Sequence, residues 1–137
     1  MDFSTKERRR LLDPELMPRL ASYIGGIIRD MGGTLLDANG PEDHIHLAAM
    51  LPPTRAVADV MRDIKAGSSG WIRKEFSGMS TFAWQDGYAA FSVSQSIMPN
   101  VVQYIRSQQE HHKKMTFLEE LTRLLEKHGI DFDPQYL

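Results

Sequence analysis

The sequence predicts a single α+β domain: an antiparallel sheet, helices packed on one face of it, and a further helix at the C-terminus. Two observations support this fold class. The hydrophobic periodicity runs in the order strand, helix, strand, strand, helix, strand, helix, helix, and its first six segments have the order of a ferredoxin-like domain. The length of 137 residues fits one core, so we expect one domain over residues 1–137.

The first two elements are a short strand and a long amphipathic helix. Only Asp2–Ser4 is strand-like before the basic run. The first strand of a ferredoxin-like sheet is central, so we expect its shortness to weaken the core. The helix follows the N-cap Asp13 and the first-turn Pro14, and it ends at Gly32-Gly33. Its apolar face is predicted to carry Leu16, Leu20, Ile24, Ile27 and Met31.

A β-hairpin and a second helix are predicted next. The strands are "TLLDA" and the segment around "DHIHL", joined by a turn at Asn39-Gly40-Pro41. The second helix is predicted to be capped by Thr54 and to end at Gly67, with a separate short helical piece over 71–76. Its apolar stripe is Val57, Val60, Met61 and Ile64.

The rest of the chain predicts a strand or hairpin and two helices. "FAWQDGYAAFSVS" is rich in aromatic and β-branched residues, with a turn at Asp86-Gly87. A helix over about 97–114 is predicted to have Ser96 as its cap and Pro99 in its first turn. The last helix opens with a Thr116/Glu119 capping box and ends at Gly129. Its predicted buried residues are Phe117, Leu118, Leu121, Leu124 and Leu125.

Composition limits the class of protein. Hydrophobic residues make up 42% and charged residues 25%, as in ordinary globular proteins, and no apolar run approaches the roughly 20 residues of a membrane span. The N-terminus lacks the apolar stretch of a signal peptide, so we expect a cytoplasmic protein. The absence of cysteine excludes disulfides, thiolate nucleophiles and cysteine-ligated zinc.

Positive charge is unevenly distributed although the net charge is −2. A short charge run is usually a solvated face. However, the cluster of Lys65, Arg73 and Lys74 lies near Trp71, and it also offers the stacking and phosphate-neutralising chemistry of single-strand DNA binders. The two clusters are Lys6, Arg8, Arg9 and Arg10, and Lys65, Arg73 and Lys74.

Four residues in two elements stand out chemically. On a strand, His44 and His46 point to the same side, a spacing that suits a chelating pair, although it also occurs on half-exposed surface strands. On the predicted 97–114 helix, Tyr104 and Gln108 are four residues apart and lie on one face. Taken singly, a helical tyrosine or glutamine is usually an ordinary packed or solvated residue, and the same holds for His111 near the helix end.

The ordered motifs "DHIHL", "FAWQDGYAAFSVS" and "VVQYIRSQQEHHKKMTF" resemble the single-tyrosine HUH transposases of the insertion-sequence-200 type, including the repeat-associated tyrosine transposases. The resemblance covers nearly the whole chain. It implies that His44 and His46 are the metal-binding pair, that Gln108 is the third protein ligand of Mg²⁺ or Mn²⁺, and that Tyr104 is the nucleophile.

The same resemblance implies a DNA strand transferase that acts on single-stranded DNA hairpins through a 5′-phosphotyrosine intermediate. It also implies a homodimer in which the tyrosine helix can serve the partner's site. The two basic clusters are then candidate DNA contacts.

The residue types suit this chemistry. Two neutral imidazoles and an amide oxygen add no negative charge, so a bound divalent ion keeps its Lewis acidity and open positions for phosphate oxygens. Mn²⁺ suits imidazole better than Mg²⁺ does.

Three alternative functions differ from that of a transposase in protein class or in chemistry. A catalytically inactive or domesticated protein of the same fold would bind hairpin DNA with strong salt dependence and form no covalent adduct. A histidine-triad nucleotide hydrolase needs a further histidine where the chain has Ala48. Relaxases and replication nickases share the chemistry but are generally built on a larger domain.

Overall fold

The computed structural model describes residues 1–108 and 116–129. Its elements are β1 (Asp2–Ser4), a 3₁₀ turn (Lys6–Arg8), α1 (Leu16–Asp30), β2 (Thr34–Asn39), β3 (His44–Met50), α2 (Val57–Glu75), α3 (Met98–Arg106) and α4 (Phe117–Lys127). The predicted α+β fold class is confirmed.

The three strands form an antiparallel sheet in the order β1-β3-β2. On the free side of β1, the segment 83–89 adds two isolated bridges, Asp2 to Ala89 and Thr5 to Trp84. The backbone N–H of Gln85 also donates to the Ser4 carbonyl oxygen at 2.9 Å. β1 is therefore central, as predicted, despite its three residues.

Of the strand or hairpin predicted within "FAWQDGYAAFSVS", the structure forms a single interrupted edge segment and no hairpin. Trp84 and Ala89 both pair with the β1 region, so the two sides of the Asp86-Gly87 turn do not pair with each other. Gly87 has a φ of +89°, a conformation that glycine adopts without steric cost. The intervening residues therefore bulge away from the sheet edge.

The core lies between one face of the sheet and the helices α1 and α2. Leu20 and Ile24 of α1, Ile64 of α2 and Ile45 of β3 are all completely buried. Each such side chain stabilises the fold by roughly 1.5–3 kcal/mol relative to an exposed position. The predicted α1 stripe is confirmed, with Leu16, Leu20, Ile24 and Ile28 buried and Ile27 and Met31 partly buried.

The prediction that the second helix ends at Gly67 is wrong, because α2 continues without interruption to Glu75. A Cβ on Gly67 would lie 3.0 Å from the Ile27 Cδ1, so the missing side chain lets α1 and α2 approach closely. The adjacent Ser68 is buried, and its hydroxyl donates to the Ile64 carbonyl at 2.6 Å and accepts from the Trp84 Nε1 at 3.0 Å. Tertiary packing thus outweighs the weak helix propensity of glycine and serine.

Of the four predicted helix caps, Asp13 and Thr116 are confirmed, and Thr54 and Ser96 are wrong. The Asp13 carboxylate accepts from the Leu16 N–H at 2.7 Å, and the Thr116 hydroxyl accepts from the Glu119 N–H at 3.2 Å, both as predicted. Thr54 does not cap α2, which begins after Ala56 without a side-chain cap, because Thr54 lies in a preceding turn. Ser96 likewise does not cap α3, which begins after Ile97 with Pro99 in its first turn.

The predicted 97–114 helix is interrupted. α3 ends at Arg106, and Ser107, in a non-helical conformation, donates its hydroxyl to the Gln103 carbonyl at 2.8 Å. Gln108 is helical again, and residues 109–115, including His111, lie outside the described residues. In α4, Leu125 is buried and Leu121 and Leu124 are partly buried, whereas the side chains of Phe117 and Leu118 are outside the description.

Among the helices of the described segments, none has the length and apolar character to cross a membrane.

Candidate metal centre

The histidine pair lies on the sheet face opposite the α1/α2 core. Because side chains alternate along β3, Ile45 enters the core while His44 and His46 point away from it. Both imidazoles are buried, with exposed fractions of 0% and 3%. Their Nε2 atoms are 3.2 Å apart. The sheet therefore directs two ligand-type nitrogens to one point.

The turn before β3 fixes the position of the strand that carries the histidine pair. A Cβ on Gly40 would lie 2.1 Å from the His44 carbonyl oxygen, so no other residue fits there without moving the strand. The predicted Asn39-Gly40-Pro41 turn therefore has a positional role at the site.

A carboxylate lies behind each imidazole. The Nδ1 of His44 is 2.7 Å from an Asp43 carboxylate oxygen, and the Nδ1 of His46 bonds to the Asp2 carboxylate. Asp2 is brought there by the pairing of β1 with β3, in which it lies opposite His46. Metal-ligating histidines typically bond a carboxylate through the second ring nitrogen in this way. Both Nε2 atoms are thereby left facing the shared point.

Glu120 of α4 completes the cluster, and sequence reasoning missed it. Its carboxylate oxygens are 3.0 Å from the Nε2 of His46 and 3.4 Å from the Nε2 of His44, and the residue is only 2% exposed. One ligand atom from each of the three residues lies within 4.8 Å of the others. The weak signal in the sequence is an acidic residue one turn before Leu124, at the edge of the apolar stripe of α4.

The cluster has strongly perturbed electrostatics. Burial by itself would lower the pKa of His46, but the carboxylates of Asp2 and Glu120 outweigh burial and raise the pKa to about 9. Burial would raise the pKa values of Asp2 and Glu120, yet their histidine neighbours hold both below the ordinary carboxyl range. Without a metal, His46 therefore takes a proton that neutralises part of the carboxylate charge.

Tyr104 lies beside the histidine pair of the same chain. Its ring centroid is 5.8 Å from that of His46, in an edge-to-face arrangement. α3 is held at this position by the buried Ile105 and by Asn39, whose amide donates to the Ile105 carbonyl at 3.1 Å. Arg106 adds an ion pair with Asp37 at 2.9 Å.

Gln108 is completely buried one turn after Tyr104. Its amide nitrogen donates to the Tyr104 carbonyl oxygen at 3.2 Å. That bond orients the amide group, whose oxygen is the metal ligand that the resemblance to the transposase family implies.

The basic residues predicted to contact DNA have different surroundings. Lys6, Arg9 and Arg10 are exposed and Arg8 is half-buried, all within or just after the 3₁₀ turn. The Lys65 ammonium donates to the carbonyls of Gln85 and Gly87 at 2.6 and 2.7 Å.

On α2 the remaining members of the second cluster also differ. The guanidinium of Arg73 donates to the Phe82 carbonyl at 3.1 Å, whereas Lys74 is exposed. Trp71 stacks on Tyr23 with ring centroids 4.7 Å apart. Lys65 and Arg73 of this cluster therefore help to hold the edge segment against α2, and the neighbouring Trp71 packs on α1.

The comparison with protein-family models identifies one family. Residues 2–108 match the family model described as "Transposase IS200 like". No curated protein sequence matches the chain significantly.

Two solved structures share the fold. One is described as a "putative transposase" from Deinococcus radiodurans R1, with 23% identity, a TM-score of 0.61, and coverage of 78% of this chain and 86% of that one. The other is a REP-associated tyrosine transposase bound to a REP hairpin, with 18% identity, a TM-score of 0.60, and coverage of 81% of this chain and 65% of that one. The chain thus spans less than two thirds of the second protein.

Proposed function

The chain belongs to the IS200-like transposase family, and on this premise we propose that it cleaves and rejoins single-stranded DNA at hairpin-flanked ends through a 5′-phosphotyrosine intermediate. The observation that carries the proposal is the convergence of the two histidine Nε2 atoms, 3.2 Å apart, beside the Tyr104 ring. The similar protein solved with a REP hairpin supports hairpin DNA as the substrate class.

The donor set fits a divalent cation. His44 and His46 present Nε2 atoms whose rings are oriented by carboxylates, and Gln108 supplies a buried amide. We assign Mg²⁺ or Mn²⁺ to these residues, with Mn²⁺ better suited to imidazole. Such an ion, when bound, neutralises charge on the scissile phosphate.

Tyr104 is assigned as the nucleophile. Its phenolate oxygen forms a bond to the scissile phosphorus while the bond to the 3′-oxygen of the upstream nucleotide breaks, and that oxygen leaves as a 3′-hydroxyl after taking up a proton. In the reverse step, a 3′-hydroxyl attacks the phosphotyrosine, loses its proton and releases the tyrosine. The covalent link conserves the phosphodiester energy, so rejoining needs no ATP.

Partners and DNA contacts follow from the same proposal. The exposed Lys6, Arg9, Arg10 and Lys74 are assigned to phosphates, with the half-buried Arg8 beside them. Lys65 and Arg73 are assigned a supporting role, because Lys65 already donates to two carbonyls of the edge segment and Arg73 to the Phe82 carbonyl just before it. We also propose a homodimer, in which the tyrosine acts either in its own chain or in its partner.

A covalent-adduct assay tests the proposal. Single-stranded hairpin DNA taken from the gene's flanks, labelled at either end, is incubated with the protein and Mn²⁺ or Mg²⁺ and separated on a denaturing gel. We expect a metal-dependent protein–DNA band that Tyr104→Phe abolishes. The matched control is Tyr88→Phe, which removes the hydroxyl of an exposed tyrosine and is expected to leave the band intact.

The assay can also contradict the proposal. If folded protein shifts the hairpin on a native gel but forms no adduct, the inactive hairpin-binding alternative is favoured. If the adduct persists in Tyr104→Phe, another residue is the nucleophile.

A further inference from the structure

We propose that Glu120 is a carboxylate ligand of the divalent ion at the histidine pair, so that the C-terminal helix α4 completes the metal centre. This inference rests on the metal site of the proposed function. Glu120 lies outside residues 2–108, the region that matches the family model. The matched region of this chain therefore does not include this ligand.

The distances within the cluster are those of ligands sharing one ion. The two Nε2 atoms are 3.2 Å apart, and Glu120 places one carboxylate oxygen 3.0 Å from the Nε2 of His46 and its other oxygen 3.4 Å from the Nε2 of His44. Adjacent ligands of an octahedral ion with bonds of about 2.1 Å are separated by about 3 Å. The Nε2 pair and the contact of Glu120 with His46 match this spacing, and one ligand atom from each of the three residues lies within 4.8 Å of the others, close enough for all three to reach one ion.

The direction of approach distinguishes Glu120 from the other carboxylates. Asp43 and Asp2 bond the Nδ1 atoms, where a carboxylate orients the ring. Glu120 instead contacts both Nε2 atoms, on the side where a metal binds. Its carboxylate is therefore placed as a ligand and the two aspartates as orienting groups.

Burial supports the same assignment. A carboxylate that is 2% exposed loses most of its hydration, and close opposite charge must offset that loss. A divalent cation held between Glu120 and the two Nε2 atoms supplies such charge. α4 is also held by contacts independent of any ion, since Leu125 is buried and the His128 ring stacks on Phe91 with centroids 4.4 Å apart.

A carboxylate ligand changes the chemistry of the site. Adding a carboxylate to two imidazoles and an amide strengthens binding of a hard divalent cation, because the ligand set becomes negatively charged. It also makes docking of α4 and metal binding mutually supportive.

Direct Mn²⁺ binding to the metal-free full-length protein tests this inference. Free Mn²⁺ is measured by electron paramagnetic resonance during titration, without DNA. Glu120→Gln is expected to weaken the affinity at least 10-fold. The matched control is Glu119→Gln, which makes the same charge change at the exposed neighbouring position of α4 and is expected to bind Mn²⁺ like wild type. Thermal unfolding of each metal-free variant verifies that it is folded.

The outcomes separate this inference from the proposed function. If His44→Ala abolishes binding while Glu120→Gln binds as tightly as wild type or more tightly, Glu120 is not a ligand and the histidine site stands. If wild type binds no Mn²⁺, or binds it regardless of His44, the metal site of the proposed function and this inference both fail. Equal weakening in Glu119→Gln and Glu120→Gln would show a general charge effect and would also overturn the assignment.

Discussion

The protonation pattern of His46 depends on one residue at the very start of the described chain. Asp2 accepts from Nδ1 and thereby leaves Nε2 facing the candidate metal position. The same carboxylate makes the ring more basic and so a stronger electron donor to a metal. Asp2 is thus a positioning residue for the site, although it is far from His46 in sequence.

The substitution Asp2→Asn tests this role. The amide keeps the size of the side chain but loses its charge, so we expect the Mn²⁺ affinity to fall about 10-fold or more, measured by the same titration. Asp30→Asn, at an exposed position near the end of α1, is the control for the charge change. An unchanged affinity in folded Asp2→Asn would show that the contact does not support metal binding.

At the scale of elements, the small residues of α2 connect the helix layer to the edge segment. Ser68 accepts the indole N–H of Trp84, and Trp84 pairs with the end of β1 through its backbone. The Phe3 ring contacts the same indole edge-to-face at 4.6 Å. One buried hydroxyl therefore links α2 to the strand that carries Asp2.

Removing that hydroxyl is expected to destabilise the fold. Ser68→Ala leaves the Trp84 N–H without its acceptor in a buried environment, at a cost of about 1–3 kcal/mol in the free energy of unfolding, measured by urea denaturation. Ser69→Ala, one residue along the same helix with an exposed hydroxyl bond, is expected to change stability by about 0.5 kcal/mol or less. Equal effects of the two substitutions would mean that helix propensity dominates over the Trp84 contact.

These elements also show where sequence reasoning succeeds and fails. The α1 stripe, the hairpin and the convergence of His44 and His46 follow from local periodicity, so they could be predicted. The prediction that the second helix ends at Gly67 is wrong. Gly67 packs closely against α1 and the adjacent Ser68 binds Trp84, and no local sequence pattern encodes these contacts. Glu120 was missed for the same reason, since its partners are on a strand distant in sequence.

On the scale of the whole molecule, the candidate metal centre joins the two ends of the described chain to its middle. Asp2 comes from β1, the histidines from β3 and Glu120 from α4. The charges of His46, Asp2 and Glu120 stabilise one another, and all three groups are held in place only when the chain is folded. An ion that binds only the folded chain must therefore stabilise the entire fold.

This coupling predicts a metal-dependent stability. At free Mn²⁺ equal to 100 times the measured dissociation constant, the free energy of unfolding should rise by about 2.7 kcal/mol, followed as a higher urea midpoint with an unchanged m-value. His44→Ala should remove the increase, because the site loses a ligand while the rest of the fold is retained. Ca²⁺, which prefers six to eight oxygen ligands, should stabilise less than Mn²⁺ at equal concentration. Equal stabilisation of wild type and His44→Ala would place the bound Mn²⁺ elsewhere on the protein and would contradict a metal centre between β3 and α4.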